Sequence, residues 1–222
     1  MSRLSESRRW AKAGEQGLSP SASCLDFFFD PACPWTWMTS RWVVEVTPTR
    51  NVPVRWRPYS LAIKNADVDV PEPYRTFAAT SQGALRVVEA VRTDHGDEPI
   101  GRLYTEIGKR FHLQQDVSPG AVSMAVVAAG LDPSYAAAAA DEKWDAEIEG
   151  SMAEAIGFLG TEVGVPILVF RDGAASAAMS GPVVSPAPTG EDALALWDHV
   201  VALAWSSSFY ELKRTRTNPP QV

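Results

Sequence analysis

Cysteine is scarce in this chain: Cys24 and Cys33 are the only two among 222 residues. A small secreted scaffold stapled by disulfides carries more, in spaced pairs, so the sequence argues against that class. Histidine is also rare. His95, His112 and His199 are scattered without ligand-like spacing, so no metal centre is expected, and each taken alone reads as a structural or surface residue. No apolar run reaches the roughly 18 residues needed to span a bilayer, and residues 1–23 hold no apolar stretch that could act as a signal core. Positive charge is short as well: 20 Lys and Arg stand against 27 Asp and Glu, a net charge of −7. That balance argues against a nucleic acid or an acidic membrane surface as partner. The single basic cluster, Lys213-Arg214-Thr215-Arg216, reads as a solvated tail. These absences point to the cytoplasm, where thiols stay reduced and a cysteine is kept for reactivity, metal binding or packing.

What is present is ample apolar material, 45% of the chain, enough for one large core or one domain carrying an insertion. Residues 1–22 read as a disordered N-terminal extension. The run Cys24-Leu25-Asp26-Phe27-Phe28-Phe29 is a buried strand closed by the turn Asp30-Pro31. Pro34 opens a helix with Trp35, Met38, Trp42 and Val46 on one face, and Pro48 is expected to end it. The stretch from Val52 to Ile63, with Pro53 and Pro58 inside it, reads as a strand at an edge or bulge. From about Pro71 to Leu159 only helical faces are visible: Leu85, Val88 and Val91; then Ile100, Leu103, Ile107 and Phe111; then helices around Ala121–Ala129 and Asp141–Phe158. Ser118-Pro119 looks like a cap with proline at the first helical position, and Ala136–Ala140 is helix-favouring sequence. After Gly164 the pattern returns to strand. Val165–Phe170 is one strand, Arg171-Asp172-Gly173 its hairpin turn, and Ala177–Val184 a weaker second strand. A last helix shows Leu194, Trp197, Val201 and Trp205 on one face. The chain thus divides into 23–66 with 160–222 as an α/β domain, and 67–159 as a helical insertion.

Cys33 follows the first strand and precedes a proline suited to the first helical position. Its sulfur therefore lies at the positive end of a helix, where unpaired N–H groups and the macrodipole favour a thiolate. Such sites lower a thiol pKa from about 8.5 to between roughly 3.5 and 7.5, so no histidine is required for activation. Packing alone does not explain the order strand, cysteine, proline, helix. Cys24, at the start of the same strand, lies more than about 15 Å from Cys33, too far for a disulfide, and reads as structural. Pro166 is the second informative residue. Thioredoxin-like folds place a cis-proline at the start of the third strand beside the reactive cysteine, and Gly164-Val165-Pro166 falls there. The backbone of Val165 could then pair with a thiol substrate.

The segment Phe28-Phe29-Asp30-Pro31-Ala32-Cys33-Pro34-Trp35 resembles the active-site segment of actinobacterial DsbA-like proteins, nearest to the mycothiol-dependent nitroreductase group. Met38-Thr39-Ser40-Arg41-Trp42, Ser60-Leu61-Ala62-Ile63, Gly181-Pro182-Val183-Val184-Ser185, Leu196-Trp197-Asp198 and the run Phe209 to Arg216 agree with it in order. The resemblance implies an α/β thioredoxin fold with an all-helical insertion between the second and third strands. It also implies a cytosolic homodimer with a low-molecular-weight thiol such as mycothiol as co-substrate, and no tightly bound cofactor. The chain departs from the pattern at the fourth motif position, reading Cys33-Pro34-Trp35-Thr36 where dithiol members have Cys-Pro-Trp-Cys. Thr36 cannot resolve a mixed disulfide as a second cysteine does, but its hydroxyl can donate a hydrogen bond to the Cys33 thiolate. A second departure is Lys64, where the family has leucine before Asn65.

Cys33 and Thr36 are thus the candidate catalytic residues. Pro34, Trp35, Asn65, His112, Val165 and Pro166 are the candidate substrate-binding positions for a small apolar or aromatic molecule. Three functions fit. In the first, favoured by the breadth of the resemblance, Cys33 serves a monothiol oxidoreductase or thiol transferase. In the second, a lone thiolate adds to an activated double bond and catalyses cis–trans isomerisation in a biosynthetic pathway, with Trp35, Trp37, Trp56, Tyr59 and Phe111 available to hold a flat substrate. The third is a non-catalytic binding protein.

Overall fold

The first strand is buried because every residue after its first is apolar or paired. Leu25, Phe27, Phe28 and Phe29 have no exposed surface, and the carboxylate between them, Asp26, is held bidentately by Arg55 at 2.5 and 2.8 Å and again by Arg171 at 2.5 Å. A near-continuous apolar run suits a strand flanked on both sides. In the computed structural model, which describes residues 22–222, this strand β1 (Cys24–Phe29) runs inside a four-stranded sheet of order β2-β1-β3-β4. Strand β2 (Val54–Pro58) pairs with it in parallel, β3 (Ile167–Asp172) antiparallel, and β4 (Ala175–Ser180) closes a hairpin on β3. Residues 1–21, where the expected N-terminal extension falls, lie outside the described residues.

Helix α1 (Pro34–Arg50) follows β1 and packs against the last helix, α7 (Gly190–Ala204). The Trp42 indole donates to the Ala193 carbonyl at 2.9 Å and lies 5.8 Å from Trp197. Between β2 and β3 stand only helices: α2 (Leu61–Lys64), α3 (Glu72–His95), α4 (Ile100–Gly108), α5 (Pro119–Ala128) and α6 (Asp145–Leu159). A π-helical turn, Lys109–Leu113, extends α4, and two 3₁₀ segments, Pro133–Ala140 and Glu142–Trp144, precede α6. This is the expected α/β architecture, a thioredoxin-like sheet with an all-helical insertion between its second and third strands.

Several boundaries differ from expectation. Pro48 lies inside α1 instead of ending it. It occupies the last turn on the exposed side, where the missing N–H costs one hydrogen bond, and the helix closes at Asn51 in the left-handed conformation (φ 54°), whose N–H bonds Pro48 O and Thr47 O. The second strand stops at Pro58, so Leu61 belongs to α2, capped by the Ser60 hydroxyl accepting from Ile63 N at 3.0 Å. Strand β3 begins after Pro166, which has no N–H to donate. The hairpin turns at Gly173 (φ 56°), so β4 starts and ends earlier than the apolar pattern suggests. Ser118 caps α5 by position only, since its hydroxyl bonds Asp116 at 2.6 Å.

Two close approaches set the insertion against the sheet and α1. A Cβ on Gly108 would fall 2.2 Å from the ring carbons of Trp37, and one on Gly101 2.6 Å from the Trp56 indole nitrogen. Glycine at those points lets α4 lie directly on two indoles.

Candidate active site

Cys33 is the N-cap of α1. Its backbone is extended (φ −82°, ψ 109°), Pro34 takes the first helical position, and the Cys33 carbonyl accepts the first helical bond from Trp37 N at 3.0 Å. The sulfur therefore faces the free N–H groups of the first turn. Thr36 is buried, and its hydroxyl finds no hydrogen-bond partner except through the Cys33 sulfur. Across the site, Cys33 Sγ lies 3.9 Å from the Val165 carbonyl, and the Val165–Pro166 bond is cis. Two further cis bonds, Gly181–Pro182 and Ser185–Pro186, follow β4. The Pro182 carbonyl accepts from Thr39 Oγ1 of α1 at 2.9 Å, and Gly181 N donates to Pro166 O at 2.8 Å. The structure brings Cys33, Pro34, Trp35, Thr36, Val165 and Pro166 together.

The protonation of Cys33 differs from the expectation drawn from its helix position. Burial pushes the thiol up, and this effect leads. The Thr36 hydroxyl, the Thr36 N–H and the Trp35 N–H pull it down, while the nearby Asp30 carboxylate pushes it up again; the net direction is upward. The helix terminus stabilises the thiolate, but enclosure of the sulfur outweighs it.

Asp30, read from sequence only as a turn residue, proves to be the anchor of the loop. It is 1% exposed. One carboxylate oxygen accepts from Ala32 N at 2.7 Å and Ser81 Oγ at 2.5 Å, the other from Leu61 N at 2.6 Å, and its own carbonyl accepts from Cys33 N at 3.0 Å. With only neutral donors around it, burial pushes its pKa up, against the opposing pull of those bonds. One side chain so joins β1, the cysteine loop, α2 and α3.

His112 grips the same loop from the π-helical turn. It is 8% exposed, and its Nε2 lies 2.8 Å from the Pro31 carbonyl. A carbonyl only accepts, so that nitrogen carries the proton. The ring also stacks on Trp37, with centroids 5.7 Å apart. Burial lowers its pKa to about 4, the Pro31 bond opposing and the Arg41 charge adding. The structure thus places His112 behind the loop, in contact with Pro31 and Trp37. Arg41 lies over the same indole, 4.0 Å from its centroid, donating to Ser40 and Thr105 hydroxyls.

Asn65 ends α2 and is half-buried; it meets Tyr74, in the first turn of α3. Burial raises the Tyr74 phenol, the Asp30 and Cys33 charges add to this, and the Asn65 amide opposes it. Tyr74 is 42% exposed and so borders the site, a residue the sequence reading missed because nothing marks it within a helical first turn. Of the aromatics expected to hold a flat substrate, Trp37, Trp56, Tyr59 and Phe111 are buried in the core. Only Trp35, two residues after Cys33, is half-exposed, with the Arg216 guanidinium 4.8 Å from its ring centroid. The basic run read as a solvated tail is exposed, yet it reaches the motif through this contact.

Among the described residues no three of His, Cys, Asp and Glu gather as metal ligands, and both cysteines are free. No helix among them is long and apolar enough to cross a membrane.

Comparison with known proteins agrees with this architecture. Residues 32–214 match the family model described as Rv2466c-like, mycothiol-dependent nitroreductase Rv2466c. A protein of Mycobacterium tuberculosis (strain ATCC 25618 / H37Rv), named only "Uncharacterized protein Rv2286c", is 27% identical over 198 residues, 87% of this chain and 82% of that protein. Among solved structures, the cytosolic disulfide reductase DsbM from Pseudomonas aeruginosa superposes with a TM-score of 0.56 at 15% identity, over 82% of this chain and all of that one. The same reductase solved with GSH gives 0.55 at 14% identity, over 81% of this chain and all of that one. At such identities the structures share the fold.

Proposed function

Because the chain belongs to the Rv2466c-like family of mycothiol-dependent nitroreductases, we propose that it is a monothiol reductase or thiol transferase with Cys33 as nucleophile and a low-molecular-weight thiol, mycothiol by family, as co-substrate. Thiol-linked oxidoreductase or transferase chemistry is the general activity that family and fold support; the single-cysteine cycle is the finer reading. The observation that carries it is local. The sulfur of Cys33 sits between the first turn of α1 and the Val165 carbonyl, with the hydroxyl of Thr36 where a resolving sulfur would stand.

The cycle balances without a second cysteine. The Cys33 thiolate attacks one sulfur of a disulfide; that S–S bond breaks, and the other sulfur leaves with the electron pair and takes a proton. A soluble thiol, as its thiolate, then attacks the mixed disulfide at the substrate-derived sulfur and restores Cys33. In this reading the Val165 backbone, whose carbonyl lies 3.9 Å from Cys33 Sγ, pairs with the incoming thiol, and the half-exposed ring of Trp35 carries an aromatic substrate.

Intact-mass spectrometry tests this reading. Incubation with a mixed disulfide of mycothiol should add one thiol equivalent to the wild type, removed by excess thiol, and none to Cys33→Ser. A chain whose Cys33 takes up no such adduct, and which shows no thiol-dependent reductase activity, would refute it.

A further inference from the structure

The residues after α7 form no helix or strand and are almost wholly exposed, yet they do not leave the molecule. Phe209 N bonds Ser206 O at 3.1 Å, and at the far end Gln221 N donates to Ser185 Oγ at 2.7 Å. Ser185 belongs to the loop docked on α1 through Thr39 and Pro182. The tail therefore returns to the loop docked on α1, and ahead of that anchor Arg216 lies over the ring of Trp35, in the first turn after Cys33. Asn218-Pro219-Pro220 stiffens the segment just beyond, since proline fixes φ and favours an extended chain.

Arg216 has no acid partner among the described residues. A guanidinium lying over an indole can still offer N–H donors in the fork that matches a carboxylate. The pair so combines a flat apolar surface and a positive charge at Trp35, two residues after Cys33.

We propose that the C-terminal strap is a wall of the thiol site, and that Arg216, held over Trp35, is a specificity-determining residue which selects aromatic substrates bearing a carboxylate. The inference rests on Cys33 being the nucleophile of the proposed function.

The test compares two small aromatic disulfides, the dianionic dithiobis(nitrobenzoate) and the neutral dithiodipyridine. In each, the Cys33 thiolate attacks one sulfur and the aryl thiolate or thione that leaves is read by absorbance. The quantity measured is the ratio of second-order rate constants, anionic over neutral, with peptide mass mapping to assign the adduct to Cys33. Arg216→Ala should lower this ratio about fivefold, as loss of one nearby charge does in a half-solvated site, while the neutral probe keeps its rate within about twofold. Lys213→Ala and Arg214→Ala, which remove the same charge from the same tail, should lower it less than twofold. An unchanged ratio in Arg216→Ala, or an equal loss in the two neighbours, overturns the role of Arg216 and leaves Cys33 as nucleophile intact. Failure of Cys33 to react with either probe overturns the functional reading and the inference together. Arg216 is exposed, so the fold of the variant is not at stake.

Discussion

The ring of His112 holds the Pro31 carbonyl at 2.8 Å, so a residue of the helical insertion fixes the backbone two positions before Cys33. The ring is buried and its pKa falls to about 4, below the ordinary value of roughly 6.5. The unfolded chain therefore binds a proton that the folded chain refuses between those two values. Stability is complete above about pH 6.5 and is lost as the pH falls toward 4, by an amount on the order of 3 kcal/mol. Denaturant titrations at pH 7 and pH 4.5 should show this loss in the wild type and a smaller one in His112→Phe. Equal losses would mean that the ring is already charged or solvated.

Cys33 should alkylate slowly at neutral pH. Iodoacetamide rates followed against pH should give a midpoint above that of an ordinary thiol, since burial leads the balance. Asp30→Asn removes the carboxylate charge that adds to the upward push, so its midpoint should move down. A wild-type midpoint below the ordinary value would show that the helix terminus outweighs burial.

Thr36→Cys restores the spacing of a dithiol motif. It should gain an intramolecular disulfide, seen as a loss of two mass units that a reductant reverses, and its mixed disulfide should be released at least tenfold faster without added thiol. Thr36→Val, which keeps the volume and removes the hydroxyl, should raise the alkylation midpoint of Cys33. If Thr36→Val leaves it unmoved, the hydroxyl contributes nothing to the thiolate.

Gly108→Ala should destabilise the fold by about 1–3 kcal/mol, because its Cβ would fall 2.2 Å from the buried Trp37 ring. Trp37 is confined by Arg41 and His112, so it has little room to move aside. Chemical denaturation measures the loss. Gly157→Ala, with open space at its Cβ, is the control and should be neutral or slightly stabilising.

The parts of the fold that read clearly from sequence are those set by local rules. The apolar run Leu25–Phe29 gives a buried strand, Pro34 a helix start, and Val165-Pro166 the turn into β3. Cys33, Thr36, Trp35 and Pro166 were legible for the same reason, as neighbours in one motif or as punctuation of a strand. Asp30 and Tyr74 were not. Their meaning comes from partners far away in sequence: Ser81 and Leu61 for the one, Cys33 and Asn65 for the other. The sign of the Cys33 shift escaped for a related reason. A helix terminus is visible in sequence, but the enclosure that opposes it is assembled by the tertiary fold. Trp37, Trp56, Tyr59 and Phe111 show the converse, since aromatic content does not distinguish a binding surface from a core.

Ser81 and His112 both lie in the helical segment between β2 and β3, and both close on the Asp30–Cys33 loop. The groups that act directly on the sulfur, Thr36, Trp35 and Val165, stay with the sheet domain, while the helices between its second and third strands hold the backbone that leads into them. A change in those helices therefore reaches the thiol through the shape of the loop, whereas a change in the motif reaches it directly.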